Sequence, residues 1–299
     1  MFGVWFLYAL AAAVFFGFTT IVDKLMLEKR LSSFSYFVSF LPPALVFCVC
    51  VLLFFPKVEL SFPYGIAFVA GLASAGGYFI YVLSIRGEEA SRIAALTSLY
   101  PAMVAVLALF FVNEILPADS YVGIIFMILG SALISYKRKH VKKMIPISLV
   151  LVLIATNFCY SLDQTLSKLS LDRISFWPFL MMFMCGRFAV VIPGVAVSSV
   201  RTKLFLEVKR LGRRFALILG CGSILWTLGI VFFFYAASLG PIALVSTMGL
   251  VAPLLTLFFA ILITKYLPGV LGEEIDRETI GLKLVATILI FVGTYLVIV

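Results

Sequence analysis

The sequence predicts an all-α membrane protein, with ten transmembrane helices arranged as two inverted five-helix repeats. Three observations carry this. The 299 residues are 64% hydrophobic and only 12% charged, with a mean hydropathy of +1.19; soluble domains are nearer half apolar and a quarter charged. Apolar runs long enough to cross about 30 Å of hydrocarbon recur along the whole chain. The end of the first run also returns in the sixth: GFTTIVDK (17–24) aligns with NFCYSLDQ (157–164) at a constant shift of 140 residues, which sets Asp23 on Asp163, Leu31 on Leu171 and Ser35 on Ser175.

The spans fall near 3–26, 34–55, 62–85, 91–112, 118–136, 146–167, 176–198, 214–238, 241–264 and 279–298. The first has no basic segment before it and no small-residue cleavage site, so it reads as a retained span rather than a cleaved leader. Its Ala9, Ala13 and Gly17 repeat permits close helix approach. YVLSIRG (81–87) at the end of span 3 faces FYAASLG (234–240) at the end of span 8. Spans 4 and 9 carry Pro101 and Pro253 near their middles, each behind a hydroxyl-rich run, Thr97–Ser98 and Ser246–Thr247. A proline inside a helix leaves a carbonyl unpaired, which lipid tolerates only where protein or a cavity satisfies it. Interrupted spans at matching places in two halves point to a transporter's central site. Five spans per repeat is odd, so the second repeat enters the membrane with the opposite orientation. The repeats are 1–136 and 146–299, joined by a basic linker at 137–145.

The net charge of +9 is concentrated in short loops between apolar runs, chiefly 137–143 and 201–214. That distribution fits the positive-inside rule rather than a nucleic-acid partner, and it puts those loops in the cytoplasm and both termini outside. The five cysteines lie within apolar runs without a CxxC pair, and read as buried free thiols.

Within the spans, Arg187 stands out. It sits about halfway along span 7, where a charged residue costs about 2.5–3.5 kcal/mol to insert. It should face the bundle interior, with Asp163 on span 6 as its partner, either holding an anionic substrate or forming a structural ion pair. Asn157, Tyr160 and Gln164 share one face of span 6. Asp163 is a candidate for carrying a coupling proton, or else a solvated helix-terminal residue with Asp23 as its surface twin. Tyr78 and Tyr81 in span 3, and Trp226 and Thr227 in span 8, suit a metabolite cavity or ordinary interior packing. Thr97, Ser98, Ser246 and Thr247 either bind substrate or bond back to their own helices. Glu88 and Glu89 read as a solvated cap before span 4, His140 as exposed, and Lys283 as snorkelling. Metal-ligand clusters, nucleophile–histidine couples and phosphate-binding loops are absent from the sequence, so neither a metal, a cofactor nor an enzymatic activity is expected.

The GFTTIVDK end of span 1, the S-L-x-P core of span 4 (Ser98, Leu99, Pro101), the helix-ending FVNE (111–114) and the Gly123/Gly130 spacing of span 5 resemble the drug/metabolite transporter superfamily, EamA type. The resemblance implies a secondary transporter, exporter or exchanger, of a small organic metabolite such as an amino acid. It also implies alternating access around a midplane cavity, driven by protons or a counter-substrate. Two features depart from the family. TKYLPGVLGEEIDRE (264–278) replaces a short Gly-Glu turn, leaving the counterpart of Glu114 open among Glu273, Glu274 and Glu278. The resemblance also implies termini inside, against the charge count. The alternatives are a lipid flippase, a non-transporting membrane scaffold and, more remotely, a lipid-processing enzyme. Oligomeric state is not readable. The charge count predicts that a tag at residue 140 is labelled from the cytoplasmic side of intact cells; labelling only from outside reverses the orientation.

Overall fold

In hydrocarbon every backbone amide must be satisfied by the chain itself, and one-segment apolar runs can do that only as helices. The computed structural model describes residues 3–29, 31–39, 41–54, 61–84, 97–135, 147–210, 212–256, 258–259 and 277–298. In order these hold α1 (Val4–Lys29), α2 (Ser33–Val38), α3 (Leu41–Phe54), α4 (Phe62–Ser84), α5 (Tyr100–Phe111), α6 (Ala118–Ser135), α7 (Ile147–Leu171), α8 (Phe176–Ala196), α9 (Ser198–Arg210), α10 (Gly212–Leu239), α11 (Ile242–Met248) and α12 (Arg277–Ile298). Among the described residues, five helices are long and apolar enough to cross a membrane, and five shorter apolar helices accompany them. The linker at 137–145, Glu88, Glu89, Glu273 and Glu274 lie outside the described residues, as do the side chains of Glu278 and Lys283.

Several spans differ from their sequence outlines. Span 2 is broken: α2 ends at Ser39, whose N–H bonds back to Ser35 and Tyr36, and α3 begins just before Pro42 and Pro43. Proline is disfavoured inside a helix and tolerated in its first turn, so the pair starts a helix rather than continuing one. Span 4 is interrupted as expected: Thr97 is helical, a turn follows at Ser98–Leu99, and Pro101 sits in the first turn of the helix that resumes as α5. Span 9 is interrupted as expected, but the break is a 3-10 turn at Gly249–Val251, after which helix resumes and Pro253 sits in its first turn. The segment 201–214, read as a polar loop, is largely the helix α9.

The main helix pairings are α1 with α10, α4 with α7, α4 with α8, α6 with α12, and α5 with α7 and α11. Exchanging the two halves turns the α1–α10 pair into α7–α4 and leaves α6–α12 and α5–α11 unchanged, as two related repeats require. Phe179, Phe183 and Phe234, all nearly inaccessible, form a close ring cluster between α8 and α10, with centroids 4.7–5.9 Å apart. Outward faces carry exposed residues such as Phe54, Phe110 and Phe291, the surface lipid would cover.

With no water to expel between helices, contact depends on how closely backbones approach. At the α4–α8 crossing, a Cβ on Gly71 would run into the Phe183 carbonyl, and one on Gly186 into the Phe68 carbonyl. Gly123 and Gly293 give the same reciprocal contact between α6 and α12. Gly71→Val and Gly186→Val should each cost about 1–3 kcal/mol through overpacking, read as a lower midpoint of thermal unfolding in detergent. Gly76→Ala is the control, because nothing lies within 4 Å of its Cβ position; an equal loss there would refute the close-approach account.

Candidate functional site

Three helices converge on the charge in α8. Arg187 lies midway along α8, one residue past Gly186, so the glycine crossing brings α4 against the arginine. Its guanidinium donates to the Ser74 hydroxyl of α4 at 2.5 Å and lies 4.4 Å from the ring centroid of Trp226 on α10. Such a cation–π contact is strongest where water is excluded. Asp163, only 6% exposed, comes from α7 and reaches the same Ser74 hydroxyl, as well as Ser167 at 3.3 Å.

Two expectations are corrected here. Asp163 is not a solvated helix-terminal residue; it is buried well inside α7. Nor do Asp163 and Arg187 meet as simple neighbours. α4 packs against both α7 and α8, and Ser74 stands between the two charges, which still act on each other electrostatically.

Asp23 is corrected as well. It is not a surface twin. Its carboxylate accepts a hydrogen bond from Tyr36, a fully buried residue of α2, and Tyr36 also bonds Tyr78. Tyr78 stacks on Tyr81 at 6.2 Å and lies in the field of Arg187 and Tyr160. A polar chain thus runs Asp23–Tyr36–Tyr78 towards Arg187, Ser74 and Asp163. Arg187, Tyr78, Tyr81, Tyr160 and Gln164 all keep part of their surface accessible, although they sit in helices of the bundle.

The hydroxyl-rich runs divide. Thr247 bonds back to Ala243 at 2.7 Å, and Thr227 back to Ser223 at 2.9 Å. Ser246 also bonds back, to Ile242 at 2.6 Å, but in addition donates to Gln164 across the α7–α11 contact. Tyr100 joins this second cluster, donating to the Ser246 carbonyl at 2.9 Å and packing edge-on to Tyr160 at 6.3 Å. Asn157, 2% exposed, lies deeper in α7, and its carbonyl accepts from Ser161 at 2.7 Å. Thr97 is half-buried and Ser98 buried, just before α5. Among these positions, Ser74, Tyr36 and Tyr100 carry interactions that the sequence did not single out. Their partners are remote in sequence, and a lone Ser or Tyr in an apolar helix leaves no pattern.

A further polar contact joins the halves. Asn113 adopts a left-handed conformation, φ 58°, and the Glu114 N–H bonds back to Ala108 at 3.2 Å. Asparagine tolerates that conformation and closes helices with it. The turn carries the Glu114 carboxylate to the start of α11, where it accepts from Ile242 N–H at 2.9 Å and Ala243 N–H at 3.4 Å. Pro241 offers no side-chain cap, so Glu114 satisfies donors that the helix leaves open. Glu114→Ala should destabilise the chain by about 0.5–2 kcal/mol, the range of a lost N-cap, and Glu114→Gln by less. Equal thermal midpoints for wild type and both variants would remove the cap from the account.

Comparison with known proteins agrees with this architecture. Residues 3–136 match the EamA-like transporter family. The "Uncharacterized transporter YwfM" of Bacillus subtilis (strain 168) is 28% identical over 142 residues, which cover 43% of this chain and 44% of the relative. The match thus spans less than half the length of that relative. A crystal structure described only as that of a protein superposes over 99% of both chains with a TM-score of 0.69 at 14% identity, a likeness of fold alone. The first half of the chain is thus similar to the EamA-like transporter family, and the whole chain shares its all-helical fold with a solved structure.

Proposed function

We propose that this membrane transporter is a secondary active exporter or exchanger of a small anionic or zwitterionic metabolite, such as an amino acid. Two inverted five-helix repeats, 1–136 and 146–299, would rock around the polar centre between α4, α7, α8 and α10. The observation that carries this reading is Arg187: a guanidinium midway along a membrane helix, bonded to Ser74 and lying over Trp226. A charge held so deep is costly unless used.

In this reading Arg187 takes the substrate's anionic group, exchanging part of its bonding to Ser74. Trp226, Tyr78 and Tyr160 supply apolar walls with polar tips, and Gln164 with Ser246 offers an amide and a hydroxyl. Asp163 and Asp23 are the carboxylates available to carry protons or to hold an ammonium group. Both act electrostatically on Tyr160, so the two carboxylates would share one polar centre. The alternative, a lipid flippase or scaffold, would favour a laterally open apolar groove without a charge at mid-helix, and Arg187 counts against it.

The test is uptake into proteoliposomes over a metabolite panel, with and without a pH gradient. Arg187→Ala should reduce transport of any substrate found at least tenfold, equivalent to about 1.4 kcal/mol of lost stabilisation. Asp163→Asn should abolish the response to the pH gradient while leaving counterflow exchange measurable. Wild-type rates in both variants would overturn the site, and Arg187→Lys separates a need for charge from a need for the guanidinium fork.

A further inference from the structure

The helix α9 carries a feature that transport through the bundle does not use. Its inner side is fixed to the protein at two points. Leu204 packs against the cluster of Phe37, Ala75 and Val191, and the Glu207 carboxylate accepts from the Ser32 N–H at 3.0 Å and the Ser32 hydroxyl at 2.8 Å. Partial burial pushes the Glu207 carboxyl up, but hydrogen bonds from Ser35 and Ser32 and the charge of Lys203 outweigh this and hold it below the usual glutamate range. α9 is therefore a fixed surface helix whose one acid is held by Ser32.

The outer side has a different composition. Phe205 is 64% exposed and Leu206 45%. Arg201 flanks them on one side and Lys203 and Arg210 on the other, with Lys209 between; all four are exposed. An open groove of 560 Å³ runs along this helix, lined by Ser199, Thr202, Lys203, Leu206 and Arg210 together with Glu207, whose carboxylate is already engaged by Ser32. Arg213 and Arg214, also exposed, follow at once. Immediately before α9, Ile192 and Val197 are exposed on an apolar helix end; soon after it, so is Leu217. These belong to the surface lipid would cover, so α9 continues it at the boundary of the bilayer.

An amphipathic helix with aromatic and aliphatic residues on one face and Lys/Arg beside them lies in the headgroup layer and prefers anionic lipid. We infer that the outer face of α9 is a binding site for anionic phospholipid headgroups: Lys203, Arg210, Ser199 and Thr202 hold the phosphate, and Phe205 and Leu206 enter the acyl boundary. The inference depends on membrane embedding and not on the transported substrate. It gives the lipid a route into the bundle, because Glu207 holds Ser32, the N-cap of α2, and Tyr36 of α2 binds Asp23.

The test uses the full chain purified in detergent, titrated with phosphatidylglycerol or phosphatidylcholine and read by native mass spectrometry for retained lipid. Wild type should retain phosphatidylglycerol over phosphatidylcholine at least fivefold, and raised salt should erase the preference. Lys203→Gln with Arg210→Gln, both exposed, should remove most of it, and Phe205→Ser should weaken retention of both lipids. An unchanged preference in the double variant, or retention insensitive to salt in wild type, overturns the site. Displacement of the lipid by inorganic phosphate at equal concentration would show a soluble-anion site and equally overturn it. Because the salt arm uses the unaltered chain, misfolding of a variant cannot hide the answer.

Discussion

A guanidinium buried among helices in hydrocarbon has to find all its partners within the protein, and Arg187 imposes that requirement on four helices at once. Ser74 from α4, Trp226 from α10 and Asp163 from α7 surround it. The Ser74 contact requires α4 and α8 to approach to backbone distance, which Gly71 and Gly186 permit. The position of the charge and the small-residue crossing beneath it are therefore one feature. The aromatic cluster of Phe179, Phe183 and Phe234 braces α8 against α10 in the second half.

Two polar contacts set at the ends of helices complement this centre. Glu114 of the first half caps α11 of the second, and Glu207 of the second half caps the approach to α2 of the first. Each joins an acidic side chain to free backbone donors, where a carboxylate bonds strongly. Both tie one half of the chain to the other through a side chain and backbone donors far apart in sequence.

The sequence was most legible where the physics is one-dimensional. Apolar length and loop charge identify a polytopic helical chain, and the 140-residue shift predicts related halves. Arg187 stood out because a charge in an apolar run is rare and costly. The departures are local and have physical causes. Prolines 42, 43, 101 and 253 sit in first turns, because the chain can restart a helix there at lower cost than bending one. The 201–214 segment looked like a loop by its charge, yet its spacing of Leu204 and Glu207 against Phe205 and Lys209 is helical.

Which residues of uniform apolar helices touch one another was settled only by the tertiary structure. Such helices carry little facial pattern, since lipid and protein interior are equally apolar. So the sequence could name Asp163 as a partner for Arg187 but not Ser74 as the group between them, 113 residues from Arg187. It left Asp163 between a buried and a solvated role, with Asp23 as its surface twin in the second; the burial of Asp163 and the bond from Tyr36 to Asp23 decided both. Hydrophobicity written along the chain determined that this protein is a helical membrane protein. Backbone approach at a few glycines decided which of its polar groups meet.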